Sequence, residues 1–245
     1  FEIMKISVLA LAITAGAAFG ASANADLIAH WNFNDSTANS NTQQVGVLNS
    51  TSSNSGTGSL SISPGTSFNT NAAGTANGVW GTFAGSTVNA VGADTAGGAL
   101  VLAASVGSVA ANPVTSNGAY ANFTVAKASY SDLSISFASR RTGTGFASLQ
   151  ISYSIDGGGS FTNLGGVINA PTTTTFGLFS QSLAGNGAVN AASSIIFRIT
   201  YDGATGGGGN ARVDNLQING TLIPAPGSVA LIGLAGLIAG RRRRN

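Results

Sequence analysis

The chain lacks cysteine altogether, has one histidine and one glutamate in 245 residues, and carries charge on only 7% of them. Without cysteine there is no thiolate metal site, thiol nucleophile or disulfide exchange. A single histidine, His30, excludes a His-rich metal centre and any mechanism that needs two imidazoles. A serine triad would have to use His30, which stands beside Trp31 in a strand-like segment, and no Gly-x-Ser-x-Gly elbow is present. His30 therefore reads as a strand residue on a polar face. Subtracting Glu2 from the eight acidic residues leaves seven aspartates to supply any carboxylate pair for glycoside hydrolysis. Asp156 and Asp202 each precede glycine, the chemistry of a turn, and nothing marks two aspartates as acid and nucleophile. The glycine clusters lack the Lys-Ser/Thr ending of a phosphate-binding loop, and Gly206 to Gly209 reads as a flexible loop. The expectation is a protein that is not an enzyme and carries no cofactor.

The net charge of +2 is set by the chain ends. Lys5 and Arg241 to Arg244 lie in the tails, which leaves Lys127, Arg140, Arg141, Arg198 and Arg212 against seven aspartates, 5 − 7 = −2. Scattered charges with that balance give no footprint for nucleic acid. Residues 1 to 3 precede Met4-Lys5-Ile6, which open a basic region followed by an apolar run to Phe19. Ala23 and Ala25 occupy the small-residue positions that a signal peptidase reads, and cleavage is expected before Asp26. The other readings of this segment are a membrane-spanning anchor, for which the apolar run is short, and a core helix.

At the opposite end, Pro224-Ala225-Pro226-Gly227 leads into the uncharged stretch 228–240 and then Arg241-Arg242-Arg243-Arg244-Asn245. As a helix that stretch reaches about 20 Å at about 1.5 Å per residue. A hydrocarbon core is about 30 Å thick, so spanning requires thinning of the bilayer or snorkelling arginines. The arginines would hold this end on the cytoplasmic side and leave the preceding domain outside. The arrangement of motif, short apolar helix and basic end resembles the PEP-CTERM sorting signal of Gram-negative bacteria, with alanine where the family motif has glutamate. The resemblance implies recognition by an exosortase, an integral-membrane cysteine protease, with cleavage near Pro224–Gly227 and transfer to the cell surface or extracellular matrix. A plain C-terminal transmembrane helix is the alternative.

Between the ends, residues 26–223 read as one β domain. Leu27, Ala29, Trp31 and Phe33 alternate with Ile28, His30, Asn32 and Asn34, the two-residue period of a strand with one buried face. Leu133, Ile135 and Phe137 repeat the pattern, as do Leu149, Ile151, Tyr153 and Ile155. Further strands are expected over 58–63, 98–104, 118–125, 175–183, 194–201 and 212–219. Turns are expected at Asn117-Gly118 and Asp156-Gly157-Gly158-Gly159, the latter closing a hairpin over 149–164. No stretch keeps a helical period over three turns, and no fixed repeat suggests a solenoid. The prediction is an all-β, two-sheet antiparallel sandwich, jelly-roll-like, flanked by a signal helix over 1–25 and an apolar sorting segment over 224–245. The first and last strands are expected to lie together, and 34–78 to form a long surface excursion.

Trp31-Asn32-Phe33-Asn34-Asp35, Tyr153-Ser154-Ile155-Asp156-Gly157 and Arg212-Val213-Asp214-Asn215-Leu216, with Phe197-Arg198, make the middle similar to planctomycete-type exported proteins carrying the same tail. A fainter similarity extends to the jelly-roll domains of carbohydrate-binding modules. Two functions follow as expectations. One is a structural or interaction protein of the surface or exopolysaccharide matrix, exported through signal peptidase and exosortase and held in the inner membrane by its C-terminal helix at least transiently. The other is a carbohydrate-binding surface module stacking Trp80, Tyr120 or Phe146 on sugar rings. If the ends of the first and last strands converge, Asp35 and Asp214 with nearby carbonyls are positioned to hold a structural Ca²⁺, a hard cation that takes oxygen donors. The competing reading of Asp214 is a pairing with Arg212 or Arg198, or a turn cap.

Overall fold

A computed structural model describes residues 25–34, 53–69, 78–172 and 174–223. The signal segment up to Asn24, Asp35, the Pro224–Gly227 motif and the arginine cluster lie outside the described residues. The described chain is built from strands, with one five-residue helix, Gly187–Ala191 (α1), and a single 3-10 turn at Val106–Ser108. Asn186 caps α1, its side chain accepting from Val189 N at 3.1 Å.

One sheet has seven strands: Ala25–Trp31 (β1), Ser55–Gly56 (β2), Trp80–Ala84 (β4), Gly98–Ala103 (β5), Tyr130–Arg141 (β7), Gly177–Ser182 (β10) and Asn210–Leu222 (β12). The other has five, ordered Gly58–Ile62 (β3), Tyr120–Ala126 (β6), Ser194–Asp202 (β11), Ser148–Ser154 (β8) and Thr162–Asn163 (β9). Every strand pairing is antiparallel, and the two sheets form the expected sandwich. β12 is the spine of the larger sheet. It pairs with β7 along one side, and on the other with β5 through residues 210–213 and with β1 through 216–221. First and last strands are thus neighbours.

The core lies between the sheets, as strand alternation dictates. Leu133, Ile135 and Phe137 of β7 face Phe123, Ile151, Phe197 and Ile199 of the five-stranded sheet, and all are fully buried. Edge-to-face aromatic pairs bind the layers: Trp80 with Tyr201 at 5.6 Å between centroids and Phe146 with Tyr201 at 5.8 Å. Trp80 and Phe146 are therefore core residues, not sugar platforms. Trp80 sits in a strand that sequence alternation missed, because its neighbours Gly81 and Thr82 are buried too.

β1 also departs from simple alternation. A bulge between Leu27 and Ala29 adds a residue, so Ile28 joins the core and Leu27 becomes half-buried. His30 does lie on the polar face, opposite Gln217, but the segment 85–97 covers that face and His30 is buried. Gly207 and Gly209 are packed against backbone, and a Cβ on them would strike Asn112 O and Thr144 O. The run 206–209 is a close backbone crossing, which explains its composition better than flexibility does.

Candidate binding face and buried carboxylate cluster

Strand register aligns the outward side chains of the five-stranded sheet into rows. Ser61, Asn122, Arg198, Ser152 and Asn163 lie opposite one another across all five strands. Four strand spacings of about 4.8 Å make that row about 19 Å long. One side of it carries Tyr120, Thr200 and Gln150, and the other carries Ser59, Thr124, Ile196 and Ser154. The face is thus made of hydroxyls and amides with one cation at its centre.

That cation is held rigidly. The Arg198 guanidinium carbon is 3.7 Å from the centroid of the Tyr120 ring and 3.5 Å from that of Phe161. Its Nε donates to Asn122 Oδ1 at 2.9 Å. Partial burial lowers its pKa from the ordinary value, an effect opposed by Tyr120, and an arginine so placed stays charged. Beside Tyr120 a shallow depression of about 310 Å³ opens between the Ser63–Thr66 and Thr115–Gly118 turns. Of the three aromatics expected to meet sugars, only Tyr120 is on this surface. Phe161 was missed because it follows the Asp156–Gly159 turn, where no periodicity marks a face.

Behind the other sheet, the segment 85–97 and the bulged middle of β12 enclose a polar cluster. Asp214 is fully buried, Oδ2 accepting from Ser86 N at 2.6 Å and Oδ1 from Asn215 N at 2.8 Å. Burial pushes its carboxyl up to about 8, against these donors, and the nearby charge of Asp94 adds to the rise. Asp94 Oδ2 accepts from Asn32 Nδ2 at 3.1 Å and lies 3.6 Å from His30 Nδ1. Asn34 bridges the first strand to this segment, its Oδ1 accepting from Gly98 N at 2.6 Å and its Nδ2 donating to Thr95 O at 3.1 Å. Burial holds the His30 pKa below its usual value, with Asp94 and Asn215 opposing.

Asp214 thus pairs with neither Arg212 nor Arg198. Arg212 stacks on Phe83 at 3.8 Å and donates to Ala84 O, and Arg198 is on the opposite sheet. Among the described residues no three His, Cys, Asp or Glu side chains converge as a metal site. Asp35, the other expected ligand, lies outside them.

Asp132, Asp156 and Asp202 are each engaged in their own local hydrogen bonds. Asp156 is held well below the usual carboxylate range by the hydroxyls of Ser154 and Ser160, and Asp132 is lowered by Gly185 N, Ser131 and Asn190. Among the described residues no helix is long and apolar enough to cross a membrane.

No family model matches the chain, and no curated protein matches it. Among solved structures it is similar to the K3 cleaved adhesin domain of Lys-gingipain from Porphyromonas gingivalis, at 10% identity and a TM-score of 0.44, over 80% of this chain and 99% of that one. It is also similar to a structure described as CBM4, at 11% identity and a TM-score of 0.42, over 78% and 97% of the two chains. A third is TmCBM61 in complex with β-1,4-galactotriose, at 7% identity and a TM-score of 0.38, over 66% and 86%. The two-sheet assignment rests on the strand pairing and not on these likenesses.

Proposed function

We propose that this chain is an exported, non-catalytic surface module that binds polysaccharide of the extracellular matrix across the outer face of its five-stranded sheet. The row Ser61–Asn122–Arg198–Ser152–Asn163, with Tyr120 and Phe161 over it, carries the reading. A long, flat array of neutral donors and acceptors suits a chain of sugar hydroxyls, and it is wide enough for several rings. The scattered aspartates support a binding role over hydrolysis. Asp214, whose carboxyl is raised in part by the nearby charge of Asp94, is in the far sheet with no exposed surface, and Asp94 is in the segment that covers that sheet.

Export and anchoring rest on the sequence: Ala23 and Ala25 before Asp26, then Pro224-Ala225-Pro226-Gly227, the apolar stretch and Arg241 to Arg244. An exosortase acting near Pro224–Gly227 delivers the module to the surface. Calcium belongs to the same proposal as a structural ion. A fully buried carboxylate with no basic group within 4 Å among the described residues gains most from a hard cation, and Asp214 and Asp94 are the oxygen donors at hand, with Asp35 as the third expected from sequence.

Affinity electrophoresis of the full chain through gels cast with a panel of bacterial exopolysaccharides tests the binding role. Retardation by some polymers and not others, reduced by Tyr120→Ala with an unchanged melting temperature, is the expected outcome. Equal mobility in every gel would refute polysaccharide binding.

A further inference from the structure

Five basic side chains fall within the described residues, and four of them end on backbone carbonyls. Lys127 Nζ donates to Tyr130 O and Asn190 O, and Arg140 Nη1 to Thr174 O. Arg141 Nη1 donates to Thr142 O and Gly143 O, and Arg212 Nη1 to Ala84 O. Arg198 differs. Only its Nε is engaged, with Asn122 Oδ1 at 2.9 Å, and neither Nη makes a hydrogen bond within the described residues. Neither Nη is buried without a partner, so both reach solvent.

Two further facts give that free fork a direction. First, Tyr120 and Phe161 lie over the guanidinium, with centroids at 3.7 and 3.5 Å, so its plane is fixed before any ligand arrives. Each ring spends a face on the cation, and that face is closed to a sugar. The aromatics here position the arginine, and recognition at this point is polar. Second, Arg198 makes no ion pair among the described residues. Its cross-strand neighbours are Asn122 and Ser152, and the next acid along β11, Asp202, is four residues away. Among the described residues the only ion-pair contact is that of His30 with Asp94, on the other sheet. A neutral polymer would leave this preorganised cation uncompensated.

We infer that Arg198 is the specificity-determining residue of the face and that the polysaccharide it takes is acidic, with a sugar-ring carboxylate received by the two Nη groups. This rests on the polysaccharide reading above and names its ligand class. A planar fork with two parallel donors matches one planar carboxylate in bidentate geometry, and such charge-assisted pairs are about twice as strong as neutral hydrogen bonds. A uronate residue supplies that group on a chain whose neighbouring hydroxyls meet Ser61, Asn122 and Thr200.

The test is calorimetric titration of the full chain with polygalacturonate, with the same polymer after reduction of its carboxyls to alcohols, and with dextran sulfate. Polygalacturonate is expected to bind at least about tenfold more tightly than the reduced polymer, the worth of one bidentate pair. Arg198→Gln abolishes the difference, and Arg198→Lys, which keeps the charge without the fork, retains only part of it. Melting temperatures of both variants report on folding, and the reduced polymer serves as a binding control that does not need the charge. Equal affinity for the acidic and reduced polymers overturns the inference and leaves the polysaccharide reading in place, as does an unaltered preference in Arg198→Gln. Dextran sulfate binding as tightly as polygalacturonate overturns the carboxylate assignment. Binding to none of the three overturns this inference, and the exopolysaccharide gels decide separately whether the broader reading falls with it.

Discussion

Trp31 of β1 meets Phe123 of β6 edge to face, with centroids 5.1 Å apart and ring planes at 73°, and this contact joins the two sheets near the entry of the domain. Both rings are buried to 1% exposure or less. Phe123→Ala leaves a cavity that the rigid sheets cannot close, and it is expected to cost about 3–5 kcal/mol. In a domain of this size that lowers the melting temperature by about 2–4 °C per kcal/mol. Thermal denaturation followed by circular dichroism checks it. A double-mutant cycle with Trp31→Ala should give a coupling of about 0.5–1.5 kcal/mol.

Gly97 is a second sensitive point. Its φ is +31°, and a Cβ there would collide with the Asn34 side-chain amide that ties β1 to the start of β5. Gly97→Ala is expected to destabilise by more than about 1 kcal/mol, through both the backbone conformation and the lost Asn34 contact. Gly118, at φ +82° with open space around it, supplies the control. Alanine there is expected to cost only the turn strain, and urea denaturation of the two variants should separate them.

Asp214 makes stability fall with rising pH. Its folded carboxyl titrates at about 8, whereas an unfolded aspartate titrates near about 3.9. The folded chain therefore keeps a proton that the unfolded chain has released. Its contribution to stability is complete below about pH 4 and is lost as pH rises to about 8. His30 acts in the opposite sense below about pH 6.5, since its buried ring resists charging. The difference between wild type and Asp214→Asn isolates the aspartate. In chelator, the melting temperature of wild type relative to the variant should fall between pH 5 and 8, and millimolar calcium should remove that fall. Absence of calcium heat, with a melting temperature indifferent to chelator, would eliminate the ion.

Much of this fold is legible in the residues. Leu133, Ile135 and Phe137 announce the inner face of β7, and Asp156-Gly157 announces the turn in which Gly157 and Gly158 have positive φ. The joining of first and last strands follows from the same logic and appears as the β1–β12 ladder. The failures have specific causes. A bulge moved Ile28 inward, which no period-2 pattern can announce. Trp80 and Phe146 looked free for sugars because Gly81 and Thr82 after Trp80 and Gly145 before Phe146 break any alternating apolar pattern. The proposed binding row sets Ser and Asn around Arg198, and Ser and Asn are also the residue types that fill the loops. Only the register across five strands sets Ser61, Asn122, Arg198, Ser152 and Asn163 in line, and register is a property of the sheet.

The tail provides its own prediction. Expressed with an exosortase, the chain should lose Arg241 to Arg244 through cleavage near Pro224–Gly227, and without the protease it should keep them. Intact-mass spectrometry reads this directly. Retention of the arginines in both hosts, with the protein in the membrane fraction, would identify a plain anchor.

The most direct test of the binding role is amide-resolved NMR during titration with an acidic exopolysaccharide fragment. The account predicts shifts concentrated at Ser61, Tyr120, Asn122, Ser152, Arg198 and Thr200, with the far sheet unmoved. Shifts centred on β7 and β10, or no shifts at saturating fragment, would contradict it.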